Sequence, residues 1–172
     1  RARLPLAAAA RLALFGNGAY DTVSGGTGSG DVNEAYTVSL TQGLAARGFV
    51  PDAALRDHYE KYLTAEKAKQ PPREGIMAFL PQQLVTEPAL ERSQIEQSVR
   101  AADATLITLR RSSGEFIDRP AEDFFLSAAE RAMVSSVSAA ARAARKPVIA
   151  ILNVGGPIET ASWRDAVDAI LV

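Results

Sequence analysis

Short apolar runs alternate along the chain with longer stretches in which apolar residues recur at helical spacing. The runs that predict buried strands are residues 11–15, 104–109, 148–152 and 169–172. Continuous apolar strands separated by amphipathic helices are typical of a parallel sheet covered on both faces. The pattern therefore predicts one domain of the α/β class, with a mostly parallel sheet sandwiched between helices.

The first two helices are predicted from the spacing of apolar residues and from residues that typically begin or end a helix. One is expected over residues 34–47, with Asn33 as its N-cap and Gly48 at its end. A second, rich in charged residues, is expected over 52–69 with only a modest apolar stripe, which predicts a surface position.

Two capping boxes, each a serine followed three positions later by a glutamate, predict further helix starts. They place helices from Ser93 to about residue 102 and from Ser127 to about residue 144. Residues 70–88 contain several prolines and no periodicity, so they are expected to form a long irregular loop.

Each of three predicted strands is followed by a polar or glycine-rich loop. These loops are S-G-G-T-G-S-G at 24–30, R-R-S-S-G-E-F-I-D-R at 110–119 and N-V-G-G-P-I-E-T at 153–160. The carboxyl ends of parallel strands meet at one edge of a sheet, which is where ligands bind in open α/β folds. We therefore expect the three loops to converge on one ligand-binding edge that includes Asn153.

Glu115 is the first candidate for chemistry at this edge. Gly114 before it allows close approach of the backbone to a ligand, and Phe116 after it could desolvate the carboxyl group and raise its pKa. From the local sequence alone, the alternative is a solvated loop glutamate.

The glycine-rich loop does not match the motifs that bind nucleotides. A phosphate loop needs a lysine after its last glycine, but the first lysine of this chain is Lys61. The spacing for dinucleotide binding is also absent. The loop instead predicts that the backbone and the hydroxyl groups of Thr27 and Ser29 contact a polar, uncharged ligand.

Composition removes several other classes of site. The 172 residues include no cysteine and one histidine, His58, which excludes disulfides, thiol catalysis, zinc sites and histidine-dependent triads. A net charge of −1 gives no reason to expect a nucleic-acid partner. No apolar run approaches the roughly 18 residues of a membrane span. The compartment stays open between the cytoplasm and the bacterial periplasm or exterior.

Three further features have structural interpretations. Trp163 is expected to pack against a helix end rather than stack on a ligand. The adjacent opposite charges at 118–119 and 164–165 are interpreted as ion pairs that stabilise loops. Glu159 is a second carboxylate to consider, but it has no partner acid in the sequence around it.

Five stretches in order resemble the second domain, an α/β sandwich, of glycoside hydrolase family 3, which includes many β-glucosidases and β-xylosidases. They are L-A-L-F-G-N-G, G-G-T-G-S-G-D-V-N-E-A-Y-T-V-S-L, R-S-S-G-E-F-I-D-R, D-F-F-L-S-A-A-E and L-N-V-G-G-P-I-E-T-A-S-W-R-D. The resemblance implies that residues 1–172 are one flavodoxin-like, three-layer domain that looks truncated at both ends.

The resemblance also implies a function. In the family, a (β/α)8 barrel supplies an aspartate nucleophile, and the glutamate of an S-G-E-G motif, here Glu115, is the acid/base. Phe116 replaces the second glycine of that motif. The family's glycine loop reaches the sugar, which implies a substrate-binding role for Ser29 and, with it, Thr27.

The implied reaction is retaining hydrolysis of a β-linked oligosaccharide or glycoside, with no cofactor or metal and with an N-terminal barrel domain as partner. The chain alone should be inactive, since it contains no barrel. The alternatives are a non-catalytic carbohydrate-binding or scaffold domain of the same fold and a nucleotide- or phosphate-binding domain.

Overall fold

The computed structural model describes residues 4–30, 34–72, 83–115 and 118–172. Its strands are β1 Arg11–Phe15, β2 Val50–Pro51, β3 Ala104–Arg111, β4 Val148–Val154 and β5 Ala169–Leu171. Its α-helices are α1 Leu40–Ala46, α2 Ala53–Lys67, α3 Arg92–Ala101 and α4 Ala128–Ala144. These strands form one sheet in the order β2-β1-β3-β4-β5, and every neighbouring pair is parallel. The prediction of an α/β fold with a parallel sheet is confirmed.

Side chains of β1 alternate between two cores, one on each face of the sheet. Ala13 and Phe15 pack in the core that contains residues of α2, α3 and α4. Leu12 and Leu14 pack in the opposite core, against which α1 places Leu40 and Leu44. Since successive strand residues point to opposite faces, both faces of the sheet are covered and the domain has three layers.

The strand order reverses direction between β1 and β3. The chain passes from β1 to its neighbour β2 on one side and then returns to β3 on the other side of β1. Loops that follow the two strands at such a switch point diverge and leave a crevice at the carboxyl edge. The glycine-rich loop and the Glu115 loop follow these two strands.

The first helix begins later than its periodicity predicted. It starts at Leu40, where Ser39 and Gln42 form a capping box. Tyr36 is 79% exposed, so its side chain provides no core packing that would favour a helical turn before Ser39. Asn33 lies outside the described residues. Gly48, in the left-handed region with φ +84°, follows the helix end as predicted.

One other helix start differs from the prediction, and one agrees with it. Helix α3 begins at Arg92 with Glu91 as its N-cap and without a side-chain cap, so the Ser93 capping box is wrong. Glu96 pairs instead with Arg92 and Arg100 on the helix surface. The capping box at Ser127 and the extent of α4 are confirmed.

Helix α2 is more deeply packed than its charged sequence indicated. Leu55, Tyr59 and Leu63 are buried, and His58 is half-buried with its ring edge-on to Tyr59. Among the described residues, no helix is long and apolar enough to cross a membrane.

The described parts of the predicted loop, 70–72 and 83–88, contain no helix or strand. Carbonyl groups of its second part are held by long-range hydrogen bonds. The side-chain amide of Asn17 donates to the carbonyl groups of Val85 and Thr86, and the hydroxyl of Tyr62 also donates to the Thr86 carbonyl. This segment therefore packs against the end of β1.

The Tyr59 hydroxyl gives a test of this packing. It accepts a hydrogen bond from the buried Gly16 N–H at 2.9 Å and contacts the Met133 sulfur. We expect Tyr59→Phe to lower the free energy of unfolding by about 1–3 kcal/mol, because the N–H loses its acceptor in the core. Urea denaturation measures the change. The control is Tyr62→Phe, whose hydroxyl is exposed and whose loss should cost less; equal effects would contradict the prediction.

Candidate active site at the carboxyl edge of the sheet

Hydrogen bonds join the three loops that follow β1, β3 and β4. The Asn153 amide at the end of β4 accepts from the Val23 N–H at 2.7 Å and donates to the Val23 carbonyl at 3.0 Å. The Ser113 hydroxyl donates to the Gly155 carbonyl at 2.7 Å. The predicted convergence of the loops is therefore confirmed, and Glu115 and Asn153 lie on the same edge.

Glu115 is in direct backbone contact with the glycine-rich loop. Its N–H donates to the Thr27 carbonyl at 3.4 Å, and the Thr27 hydroxyl donates to the Glu115 carbonyl at 3.3 Å. Glu115 is exposed, as expected for a group that faces a ligand, whereas Thr27 is only 3% exposed. Phe116, the aromatic neighbour considered from the sequence, lies outside the described residues.

Two glycines permit this contact. A Cβ atom on Gly114 would lie 1.8 Å from the Thr27 hydroxyl oxygen and 2.3 Å from the Thr27 nitrogen. A Cβ atom on Gly26 would lie 2.6 Å from the Ser113 carbonyl oxygen. All three distances are far below a van der Waals contact, so the two loops approach as closely as they do only because these side chains are absent.

The glycine loop closes in a short turn. Gly28–Gly30 form a single 3-10 turn in which the Gly30 N–H donates to the Thr27 carbonyl, and the Gly26 N–H donates to the Gly30 carbonyl. Ser29 is at the centre of this turn, next to Thr27 in space. The side chain of Ser29 lies outside the described residues, so its predicted contact with a sugar stays a prediction.

Arg119 stabilises the chain after Glu115. Its Nε lies 2.8 Å from an Asp123 carboxylate oxygen, and its Nη1 donates to the Pro157 carbonyl at 3.1 Å. The ion pair predicted between Arg119 and its neighbour Asp118 is therefore replaced by one with Asp123, four residues away. Arg119 links the Glu115 loop to the loop after β4.

Arg111 ends β3 with a buried charge. Its guanidinium group forms a bidentate pair with Glu130, at 2.6 and 3.0 Å, and also donates to the Asp123 and Phe125 carbonyls. Glu130 closes the capping box of α4 as predicted, but its ion pair was not foreseen. A bidentate pair with every remaining donor satisfied holds residues 120–130 against the sheet.

Arg110 points its buried guanidinium group toward the loop after β1. It contacts the Asp21 carboxylate at 2.5 Å, and Lys67 of α2 contacts the same carboxylate at 2.5 Å. Burial acts to raise the pKa of Asp21, but hydrogen bonds from Lys67 and Arg110 outweigh it and lower the pKa below its usual value. Asp21 therefore connects β3 and α2 to the start of the glycine-rich loop.

Glu87 is a buried carboxyl group that the sequence did not single out. Both of its oxygens accept from the Asn17 N–H, at 2.9 and 3.0 Å. Desolvation by burial raises the pKa of Glu87 to about 7, against the opposing effects of that N–H and of Arg110. It lies in an irregular segment without periodicity, so no local pattern could have indicated its burial.

The remaining candidates have structural contacts. Trp163, predicted to pack against a helix end, is buried in the core, and its indole N–H donates to the Glu159 carbonyl at 2.6 Å. The Glu159 carboxylate accepts hydrogen bonds from the hydroxyl and the N–H of Ser162, which lower the pKa of Glu159.

Arg164 and Asp165 are 4.0 Å apart and exposed, so this ion pair contributes little to stability. No group of three or more potential metal-binding side chains occurs in the part of the chain that the structure describes.

Comparison with known proteins identifies the family. The model of the glycosyl hydrolase family 3 C-terminal domain matches residues 1–172. The chain belongs to this family.

Two proteins named beta-glucosidases are similar to nearly the whole chain. Beta-glucosidase A of Butyrivibrio fibrisolvens is 30% identical to this chain in a match 195 residues long. The match covers 98% of this chain and 22% of that protein. The structure of beta-glucosidase 3B from Thermotoga neapolitana in complex with glucose has a TM-score of 0.88 and 36% identity, and the match covers 98% of this chain and 24% of that one.

A beta-glucosidase from Paenibacillus barengoltzii has the same fold over this region, with a TM-score of 0.82 at 24% identity; the match covers 97% of this chain and 18% of that chain. The chain thus spans about a quarter of the length of the first two relatives and less of the third. Its α/β sandwich is the domain that these proteins have in common with it.

The contact between Gly114 and Thr27 can be tested by adding one methyl group. We expect Gly114→Ala to lower the free energy of unfolding by about 1–3 kcal/mol, because the new Cβ forces the two loops apart. Gly30→Ala is the control in the same pair of loops, since a Cβ there meets no atom within 4 Å. Urea denaturation compares the two variants, and similar stabilities would show that the contact is not tight.

Glu87 predicts a pH dependence of stability. The pKa of Glu87 rises from an ordinary 4.5 to about 7 on folding. As the pH increases, Glu87 therefore loses its proton at a lower pH in the unfolded chain than in the folded one. The free energy of unfolding should fall between about pH 4.5 and 7 and then level off, by up to about 3 kcal/mol. Glu87→Gln, which keeps an acceptor for Asn17, should remove this fall, whereas the exposed control Glu122→Gln should retain it. Denaturation at a series of pH values measures the difference, and parallel curves for all three proteins would exclude Glu87 as the cause.

Proposed function

We propose that this domain supplies the general acid/base, Glu115, to a retaining β-glycosidase, most simply a β-glucosidase. The substrate would be a terminal, non-reducing β-linked sugar of an oligosaccharide or glycoside. The observation that carries the proposal is the position of Glu115, an exposed glutamate at the switch point of the sheet whose backbone is held by the adjacent loop.

Membership of family 3 supports the proposal, since the similar proteins described above are named beta-glucosidases. The chain spans about a quarter of their length, so the second carboxyl group of a retaining pair is expected from another domain. We propose that a barrel domain of the same protein provides an aspartate nucleophile and covers the exposed edge. The site would then be shared between the two domains.

In the first step, the nucleophile attacks the anomeric carbon and the glycosidic C–O bond breaks. Glu115, in its protonated form, donates its proton to the leaving oxygen. In the second step, the Glu115 carboxylate takes a proton from water, and the resulting hydroxide displaces the nucleophile from the anomeric carbon. Retaining enzymes carry out these steps with carboxyl groups about 5–5.5 Å apart.

The glycine-rich loop would provide the contact to the sugar. Its turn at Gly28–Gly30 places Ser29 in the loop that touches Glu115, which is why we propose Ser29 as a sugar-binding residue. The exposed position of Glu115 fits the same arrangement, since an acid that serves a substrate bound outside the sheet edge has to be accessible from that side.

Substitution of Glu115 tests the role of its carboxyl group. In the complete enzyme, Glu115→Ala should lower kcat/KM for an alkyl β-glucoside by about 100-fold or more, because its leaving oxygen needs a proton. For a dinitrophenyl β-glucoside, kcat/KM should change little, since that leaving group departs as the anion. The kcat for this substrate should still fall, because no base activates water in the second step, and azide should restore it by forming a glycosyl azide.

The control for this experiment is Glu122→Ala, which removes another exposed carboxyl group after β3 and should behave like the wild type. Equal losses on both substrates without azide rescue would argue for a binding or scaffold domain instead. Unchanged kinetics on both would exclude Glu115 from the reaction.

A further inference from the structure

We propose that Thr27 is a positioning residue for the general acid/base, and that it acts through the backbone of Glu115 rather than by binding the sugar. This inference rests on the proposed function of Glu115. It revises the role that the sequence suggested for Thr27, which was a direct contact with substrate.

The contact between the two residues runs in both directions. The Thr27 carbonyl accepts from the Glu115 N–H, and the Thr27 hydroxyl donates to the Glu115 carbonyl. Together these bonds hold both polar groups of the Glu115 peptide backbone to a residue 88 positions earlier in the chain. Both bonds involve the backbone of Glu115, so they fix the point from which its side chain leaves the loop.

Burial indicates that the Thr27 hydroxyl faces inward. Thr27 is 3% exposed, although the loop that contains it is otherwise mostly exposed or half-buried. Gly114 lies directly against it, with space for no side chain at all. A hydroxyl in this position is available to the Glu115 loop and is shielded from a ligand outside the edge.

Thr27 also holds this loop from the β1 side. On the β4 side, the loop is held by the hydrogen bond from Ser113 to Gly155 and by Arg119, which reaches Pro157. Loss of the Thr27 hydroxyl would leave the β4 contacts in place and allow Glu115 to shift toward them. The domain should therefore stay folded while its acid moves.

A small displacement of a proton donor has a specific kinetic effect. Misplacement of a catalytic group by about 1 Å can lower a rate by about 100-fold, because proton transfer needs a short and aligned path. The effect falls on substrates whose leaving oxygen must be protonated. A residue that only binds the sugar would instead affect good and poor leaving groups alike.

The test uses three variants of the complete enzyme. Thr27→Val keeps the shape of the side chain and removes its hydroxyl, and Thr27→Ser restores the hydroxyl. Thr41→Val is the matched control, because Thr41 is also a buried threonine whose hydroxyl donates to a backbone carbonyl, that of Ala19, at 2.7 Å. Urea denaturation of each variant checks that it folds.

We expect Thr27→Val to lower kcat/KM for an alkyl β-glucoside by about 10- to 100-fold and that for a dinitrophenyl β-glucoside by less than about 3-fold. Thr27→Ser should recover most of the loss, and Thr41→Val should show no preference between the substrates. Equal losses on both substrates, or no loss on either, would overturn the inference.

Glu115→Ala, measured in parallel, separates this inference from the function on which it rests. If Glu115→Ala shows the dependence on leaving group and Thr27→Val does not, only the role of Thr27 fails. If Glu115→Ala shows no such dependence, the proposed acid/base role itself fails, and a positioning role for Thr27 fails with it.

Discussion

The close contact between Thr27 and the peptide from Gly114 to Glu115 is the interaction on which the candidate site depends. It requires two loops that are far apart in sequence to leave neighbouring strands at the same edge, which the parallel pairing of β1 and β3 provides. It also requires that residue 114 has no side chain. Glu115 is exposed, and its backbone is held to the glycine-rich loop by hydrogen bonds with Thr27.

Buried charges support the loops around this contact. Arg110 and Arg111 are consecutive residues at the end of β3, and they reach Asp21 on one side and Glu130 on the other. Burying such groups is costly unless each is paired and hydrogen-bonded, and here both arginines have several acceptors. The arginines thus link β3 to the segment after β1 and to α4, and in this structure their charges stabilise the fold.

The position of Glu115 at an open edge of the sheet fits a site that is shared between two domains. In the proposed enzyme, this domain provides a positioned proton donor at an open edge, and the nucleophile comes from a barrel domain. Glu115 is accessible at that edge, while its backbone contacts and those of Arg119 are internal to this domain. The geometry of proton transfer could then be maintained here even where the surface facing the barrel changes.

Local pattern alone determined much of the fold. The strand at 11–15 and the helix that begins after Ser127 have the predicted bounds, and the parallel sheet and the position of Glu115 at its edge followed from apolar runs that end in polar loops. These features depend on residues close in sequence. Only the tertiary structure showed that Glu87 is buried and that Thr27 faces inward, because both depend on partners from about 70 to 90 positions away. Periodicity and capping report on neighbours along the chain, and they carry no information about which distant backbone groups a side chain will meet.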